Sequence, residues 1–227
     1  MIPLLLWRCP LCATNDALVH IPRLFRADLV RCRRCHAEWR VRRVPGDNFY
    51  LKLVRVGRAA GNGIPARVGT ERTITAWYDL MKSTVSLVPI HDPEVNLPPD
   101  EMLYLASDTV ELEAEESDPS FFPVPESPEA TRVEKWKVRG RVVGTGRLFL
   151  TDRRLLWRGE GVSRSFPLRR LNSAFALMDY RLALMVEMRL YLVRFLEESV
   201  LKWVTYLALV ARQVEAKTGH RIVTSHF

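Results

Sequence analysis

The placement of the four cysteines constrains this chain more than any other feature. All four fall within the first 35 of 227 residues, as the CxxC pairs Cys9–Cys12 and Cys32–Cys35. Two residues between thiolates let each pair turn tightly and offer both sulfurs to one ion, and two such turns complete the tetrahedral four-sulfur set of Zn²⁺. The sequence therefore predicts a structural zinc site with all four cysteines as ligands, because a closed Cys₄ set keeps no open position for water.

Other uses of the cysteines fit the sequence less well. Two disulfides would need an oxidising compartment that no other feature indicates, and a thioredoxin-like site would use one CxxC pair. His20 and His36 are possible substitute ligands, but four cysteines already fill a tetrahedron. The spacer between the pairs contains short apolar pieces broken at Pro22, and the whole pattern resembles a zinc ribbon. We expect residues 1–58 to form this ribbon with an adjoining strand.

The second CxxC pair lies in a strongly basic stretch, which introduces nucleic-acid binding as the alternative function. Six arginines surround it together with Trp39: Arg31, Arg33, Arg34, Arg40, Arg42 and Arg43. They could contact phosphates while the indole stacks on a base. The same stretch also suits a strand beside the metal, where arginines offset the negative charge that four thiolates leave on a divalent ion.

Charge is distributed in blocks along the chain. Lys and Arg number 12 against 4 acidic residues in 1–60 (12 − 4 = +8), 0 against 12 in 90–130 (0 − 12 = −12), and 12 against 3 in 131–170 (12 − 3 = +9). A net charge of +8 favours anionic partners such as nucleic acid, acidic protein or anionic lipid. An acidic block between two basic ones could also dock onto them and reduce the free positive surface.

The middle of the chain is predicted to connect two domains. Residues 59–98 should contain a short helix starting near Thr70, with Glu71 in its first turn, followed by a proline-rich linker and a boundary near residue 97. The glycines of "GRAAGNGIP" are assigned to a loop, because they lack the third glycine of a dinucleotide-binding motif. An acidic, proline-rich insertion occupies residues 113–133.

A cationic stripe is predicted on the strand at 134–143. At a period of two, four basic side chains share one face, while Trp136, Val138 and Val142 share the other. These candidate anion- or lipid-binding residues are Lys135, Lys137, Arg139 and Arg141. A solvated outer face of the strand is the alternative.

The segment 144–196 resembles the GRAM and bacterial PH-like domains. The matching positions are Gly146, Leu148–Leu150, Thr151-Asp152-Arg153-Arg154, Leu155-Leu156-Trp157 and Phe166-Pro167-Leu168. The resemblance covers about residues 99–217 and defines a predicted PH/GRAM-like domain at 99–220. It implies two packed antiparallel sheets closed by a C-terminal helix, and binding to membranes or to protein partners.

The sequence supplies a helix at the required C-terminal position. Glu197 and Glu198 are predicted in its first turn, and Gly219 is the candidate C-cap. Apolar residues recur on one face, which we expect to cover the open sheet: Val200, Val204, Leu207, Ala211 and Val214.

The predicted fold class is mainly β with a C-terminal α-helix, combining a small zinc ribbon with a PH-like β-barrel or sandwich. No GxxxxGK[ST], HExxH or GxSxG motif occurs, so we expect no enzyme activity. No signal peptide is recognisable, and the apolar stretch 203–211 is too short to span a bilayer. We therefore expect a cytoplasmic zinc-binding adaptor that binds a protein partner or, as a peripheral protein, an anionic membrane surface.

Overall fold

The computed structural model describes residues 5–44, 48–57, 63–115, 140–177 and 180–225. The chain separates into two units, residues 1–87 (unit 1) and 88–227 (unit 2). Unit 1 holds one antiparallel sheet in the order of the sequence, made of β1 (Leu18–Ile21), β2 (Leu29–Cys32), β3 (Glu38–Val44), β4 (Asn48–Arg55) and β5 (Glu71–Thr73), followed by helix α1 (Ile74–Ser83).

Strand alternation builds the core of unit 1. Trp39 on β3 and Leu51 and Leu53 on β4 are all buried on one face of the sheet. Trp77 of α1 covers this face, donates from its indole Nε1 to the carbonyl oxygen of Leu51 at 3.0 Å, and meets the Trp39 ring edge-on at a centroid distance of 6.2 Å. Aromatic side chains therefore supply much of the apolar volume of this small unit.

Helix α1 begins later than the sequence predicted. Glu71 lies in β5, opposite Lys52 of β4, so the expected helix start near Thr70 is wrong. Pairing with β4 keeps residues 71–73 extended, and the helix starts only where the Thr73 hydroxyl oxygen accepts the N–H of Ala76 at 3.1 Å. This is an N-cap that satisfies one of the free donors of the first turn.

Unit 2 is a curled, half-barrel sheet. Its strands are β6 (Leu103–Ala106), β7 (Val110–Glu115), β8 (Gly140–Thr151), β9 (Arg154–Gly159), β10 (Ser163–Pro167), β11 (Leu171–Ala176), β12 (Arg181–Val186), β13 (Arg189–Phe195) and β14 (Val223–Ser225). The order is β10-β9-β8-β7-β13-β12-β11-β14, with β6 also paired to β8; β14 is parallel to β11. Together with helix α2 (Val200–Thr218), this architecture confirms the mainly β fold class with a C-terminal helix.

Residues 88–98, which the sequence assigned to the linker, belong to unit 2. Val95 packs into a cluster of buried residues with Leu103 and Phe149. The Arg147 guanidinium holds the same segment from the sheet, donating to the carboxylate of Asp92 at 2.8 Å. A buried apolar anchor and an ion pair thus hold a proline-rich stretch that has no regular secondary structure of its own.

The C-terminal helix covers the sheet with the predicted face. Val200, Val204, Leu207, Ala211 and Val214 are all buried, and Gly219 ends α2 with a left-handed φ of +73°, which confirms both predictions. Glu197 and Glu198 precede the helix, so their placement in its first turn is wrong. No helix in the described part of the chain is long and apolar enough to cross a bilayer.

Candidate metal centre

Both CxxC pairs adopt the same backbone turn. The N–H of Ala13 donates to the carbonyl oxygen of Cys9 at 2.9 Å, and the N–H of His36 donates to that of Cys32 at 2.9 Å. Ala13 and His36 both have left-handed φ values, +55° and +63°. The repetition of one tight turn explains how two short sequences of different composition present their sulfurs in the same way.

The four sulfurs form one buried cluster. The Sγ atoms of Cys9 and Cys35 are 3.8 Å apart and those of Cys12 and Cys32 are 3.7 Å apart, and all four lie within 4.8 Å of one another. A Zn–S bond of about 2.3 Å in a tetrahedron places neighbouring sulfurs about 3.8 Å apart. No disulfide forms among them. The cluster therefore has the donor chemistry and the dimensions to bind a metal ion such as zinc.

Neither histidine near the cysteines belongs to this cluster. The His36 side chain is exposed, and its residue serves the turn through its backbone. His20 Nε2 contacts the Asp28 carboxylate at 3.0 Å instead. The four cysteines are therefore sufficient for the site in the described part of the chain, as the tetrahedral count predicted.

The pKa values of the thiols differ because of hydrogen bonding between them and burial. A hydrogen bond from the Cys9 thiol lowers the pKa of Cys32 to about 5, and the N–H of Cys35, 3.4 Å from the Cys32 sulfur, acts in the same direction. The same hydrogen bond raises the pKa of Cys9, and burial raises the pKa of Cys35 to about 11. In the metal-free protein the pKa of Cys32 therefore lies below that of an ordinary thiol, and the pKa values of Cys9 and Cys35 lie above it.

Zinc binding should therefore release at least two protons, those of Cys9 and Cys35, because only thiolates ligate the ion. Since both pKa values lie above neutral pH, the apparent zinc affinity should fall by at least about 100-fold for each unit of acidification near pH 7. Competition with a chromophoric chelator across pH, and calorimetry in buffers of different ionisation enthalpy, measure this slope. An affinity that does not change with pH would contradict the acidities described above.

Two glycines that the sequence assigned only to a loop lie against the cysteine turns. Gly57 lies against the backbone of the Cys32–Cys35 turn, where an added Cβ would overlap the carbonyl oxygen of Cys35. Gly63 lies against the Cys9–Cys12 turn, where an added Cβ would overlap the carbonyl oxygen of Leu11. The N–H of the next residue, Ile64, donates to the carbonyl oxygen of Pro10 at 2.7 Å. The first and last glycines of "GRAAGNGIP" therefore each lie against one of the two cysteine turns, a proximity that only the folded chain reveals.

Replacing Gly57 with alanine should loosen the Cys32–Cys35 turn, because the added Cβ would overlap backbone atoms, which cannot move aside as a flexible side chain can. We expect a loss of about 1–3 kcal/mol in the free energy of unfolding and faster transfer of zinc to a chelator. Gly69→Ala is a suitable control: it has φ +92° and nothing within 4 Å, so it strains the backbone without touching a cysteine turn. Equal zinc release rates in the two variants would refute a supporting role for Gly57.

The basic residues near the cysteines are partly neutralised. Arg31 donates to Glu38 at 2.8 Å, and Arg42 pairs with Glu71. Trp39, the candidate for stacking on a base, is 2% exposed and belongs to the core. Trp39 is therefore not available to stack on a base, and Arg31 and Arg42 are already paired with carboxylates.

The predicted cationic stripe lies mostly outside the described residues. Lys135, Lys137 and Arg139 fall there, while Arg141 is exposed on β8. Arg141 faces Ala114 of β7 in the strand register, so no acidic residue stands directly opposite it.

No protein-family model matches the chain, and no curated protein matches its sequence.

Proposed function

We propose that this protein is a non-enzymatic, cytoplasmic adaptor. A structural zinc ion holds unit 1 together, and unit 2 is a PH/GRAM-like domain that binds a protein partner or an anionic membrane surface. The observation that carries the proposal is the buried cluster of four free thiols at tetrahedral spacing.

The burial of the cluster supports a structural role for the metal. All four cysteines are buried, and four sulfurs complete the coordination of zinc without a position for water or substrate. Hydrogen bonds to the sulfurs come from the chain itself, as from the Cys35 N–H, which is the usual way in which a protein holds such ligands in place. Such a site contributes its binding energy to folding.

The form of unit 2 supports the binding role. The resemblance to GRAM and PH-like domains implies two packed antiparallel sheets closed by a C-terminal helix, and unit 2 shares with that expectation a curled, mostly antiparallel sheet and the helix against it. The Thr151–Arg154 motif forms the turn between β8 and β9, as a strand–turn–strand motif requires. Arg141 supplies one exposed cation at the beginning of β8, on the strand where the sequence predicts three more.

Metal analysis of the purified full-length protein under reducing conditions tests the first part of the proposal. We expect one zinc ion per chain, lost in a Cys9→Ser/Cys12→Ser variant. A ratio well below one in wild-type protein would remove the zinc module from the proposal.

Charge reversal tests the second part. Reversing Lys135, Lys137, Arg139 and Arg141 to Glu should abolish flotation with vesicles that contain phosphatidylserine, or binding to the native protein partner, because the cationic stripe then repels an anionic surface. A matched control applies the same change in charge to four exposed cations elsewhere in unit 2, namely Arg189, Arg212, Lys217 and Arg221. An equal loss of binding in both variants would mean that net charge alone, and not the cationic stripe, accounts for the effect. Binding to DNA or RNA that falls steeply with salt would favour the nucleic-acid alternative instead.

A further inference from the structure

The tip of the β1–β2 hairpin carries two highly exposed apolar side chains. Leu24 is 86% exposed and Phe25 is 102% exposed, which means that the phenyl ring contacts almost nothing else in the protein. Single exposed apolar residues are common on protein surfaces, but two adjacent ones at the end of a projecting turn are a candidate interaction site.

The tip has a defined conformation that holds these side chains outward. Asp28 accepts the N–H of Arg23 through Oδ1 at 3.0 Å and contacts His20 Nε2 through Oδ2 at 3.0 Å, so it joins the two ends of the turn. Phe25 has a φ of +61°, a left-handed conformation that is unfavourable for a bulky residue. A conformational cost without any compensating contact of the ring suggests a role outside the folded chain.

Two arginines flank the apolar pair. Arg23 and Arg26 are both exposed, on either side of Leu24 and Phe25. The tip therefore presents two apolar side chains between two cations, and its acidic neighbour Asp28 is already engaged in the turn. This order of groups matches the order of an anionic membrane surface, where phosphates lie above an apolar interior.

The candidate metal centre supports the other end of this hairpin. Cys32 pairs with Leu18 at the start of the ladder, and Leu29 pairs with Ile21 at its end. The two ends are three residue steps apart along the strand, a rise of about 10 Å. The ion would therefore fix the base of a short, stiff hairpin whose opposite end projects Leu24 and Phe25.

We propose that the β1–β2 tip inserts Leu24 and Phe25 into the interface of an anionic phospholipid bilayer, with Arg23 and Arg26 at the headgroup phosphates. The inference rests on the membrane-binding part of the proposed function and assigns a bilayer contact to unit 1. A bilayer suits this feature better than a protein surface does. Stable protein interfaces bury about 1,200–2,000 Å², whereas a two-residue tip supplies little area and a fluid interface needs no complementary shape.

Flotation of the full-length zinc-loaded protein with vesicles of phosphatidylcholine and phosphatidylserine tests the proposal. Leu24→Ser/Phe25→Ser should reduce the partition coefficient at least about tenfold, since each side chain loses apolar burial in the interface. Arg23→Glu/Arg26→Glu should reduce it about tenfold on anionic vesicles. Phe25→Trp should preserve or strengthen binding, because indoles favour the membrane interface. Val68→Ser/Met188→Ser removes two exposed apolar side chains elsewhere and should change nothing.

The outcomes separate this inference from the proposed function. If the wild type floats and the serine variant at the tip floats equally well, the tip inference is wrong and the stripe remains the membrane-binding site. If the wild type does not float, the inference and the membrane-binding part of the proposal both fail, while zinc content and partner binding are decided by their own assays. A concentration-dependent dimer seen by ultracentrifugation and lost with Leu24→Ser/Phe25→Ser would overturn the inference in favour of a second copy as the occupant.

Discussion

Replacing Cys32 with serine should unfold unit 1 and leave unit 2 folded. Structural zinc contributes about 10–16 kcal/mol to the folding of small metal-binding modules, which is comparable to or larger than the whole stability of a typical domain. A hydroxyl does not replace a thiolate as a zinc ligand. The substitution also removes the cysteine whose pKa is lowered to about 5, and hence the thiol that most readily becomes a thiolate ligand. The three largest side chains in the core of unit 1, Trp7, Trp39 and Trp77, should then become exposed.

Hydrogen exchange followed by mass spectrometry measures this result for each unit separately. Peptides covering β1 to β4 should exchange rapidly in the Cys32→Ser variant, while peptides covering α2 and β11 to β13 should keep their protection. His36→Asn is the matched control, because asparagine tolerates the left-handed turn and His36 lies outside the sulfur cluster. One zinc ion per chain together with native protection in the Cys32→Ser variant would contradict the proposed structural role of the metal.

The cysteine site could be predicted from the sequence because its information is local. Two CxxC pairs fix the ligand types, and the tight turn that each pair requires involves only neighbouring residues. The strand at β3 and the apolar face of α2 were readable for the same reason. Each depends on a repeat of 2 or 3.6 residues along the chain itself.

Contacts between distant residues were not predictable in this way. Gly57 and Gly63 are needed because the chain crosses the cysteine turns closely, and a glycine in sequence looks the same whether it serves a loop or a close approach. The start of α1 depends on the pairing of Glu71 with Lys52, 19 positions earlier (71 − 52 = 19), and the sequence contains no local signal for that partner. Local helix propensity predicted a helix at residues 71–73, whereas pairing with β4 keeps these residues in a strand.

The Thr151-Asp152-Arg153-Arg154 motif shows how a basic sequence can have a structural use. Asp152 Oδ1 accepts the N–H of Met102 at 3.0 Å, and the Thr151 hydroxyl donates to Glu101 Oε1 at 2.7 Å. Arg154 makes two parallel hydrogen bonds to the Glu101 carboxylate, both at 2.8 Å. The motif thus fastens the segment before β6 to the turn between β8 and β9, and Arg154 is occupied by a carboxylate of its own unit.

Arg154→Met should therefore destabilise unit 2 by about 3 kcal/mol or more, because it leaves the carboxylate of Glu101, 3% exposed, without its ion-pair partner. The adjacent arginine is the natural control. Arg153 pairs with Asp100 where the two side chains are 51% and 68% exposed, so Arg153→Met should leave the free energy of unfolding almost unchanged. Urea unfolding of the full-length protein, followed by hydrogen exchange of the β8–β9 peptides, measures both values.

A second change shows whether the loss comes from the unpaired carboxylate. Glu101→Met/Arg154→Met removes both charges, and we expect it to be more stable than Arg154→Met alone, since two apolar side chains can replace a buried ion pair at little cost. If Arg154→Met proved as harmless as Arg153→Met, the Glu101 pair would not hold this turn, and Arg154 would be free to bind an external anion. If instead the double variant were the less stable one, shape rather than charge would account for the role of the arginine.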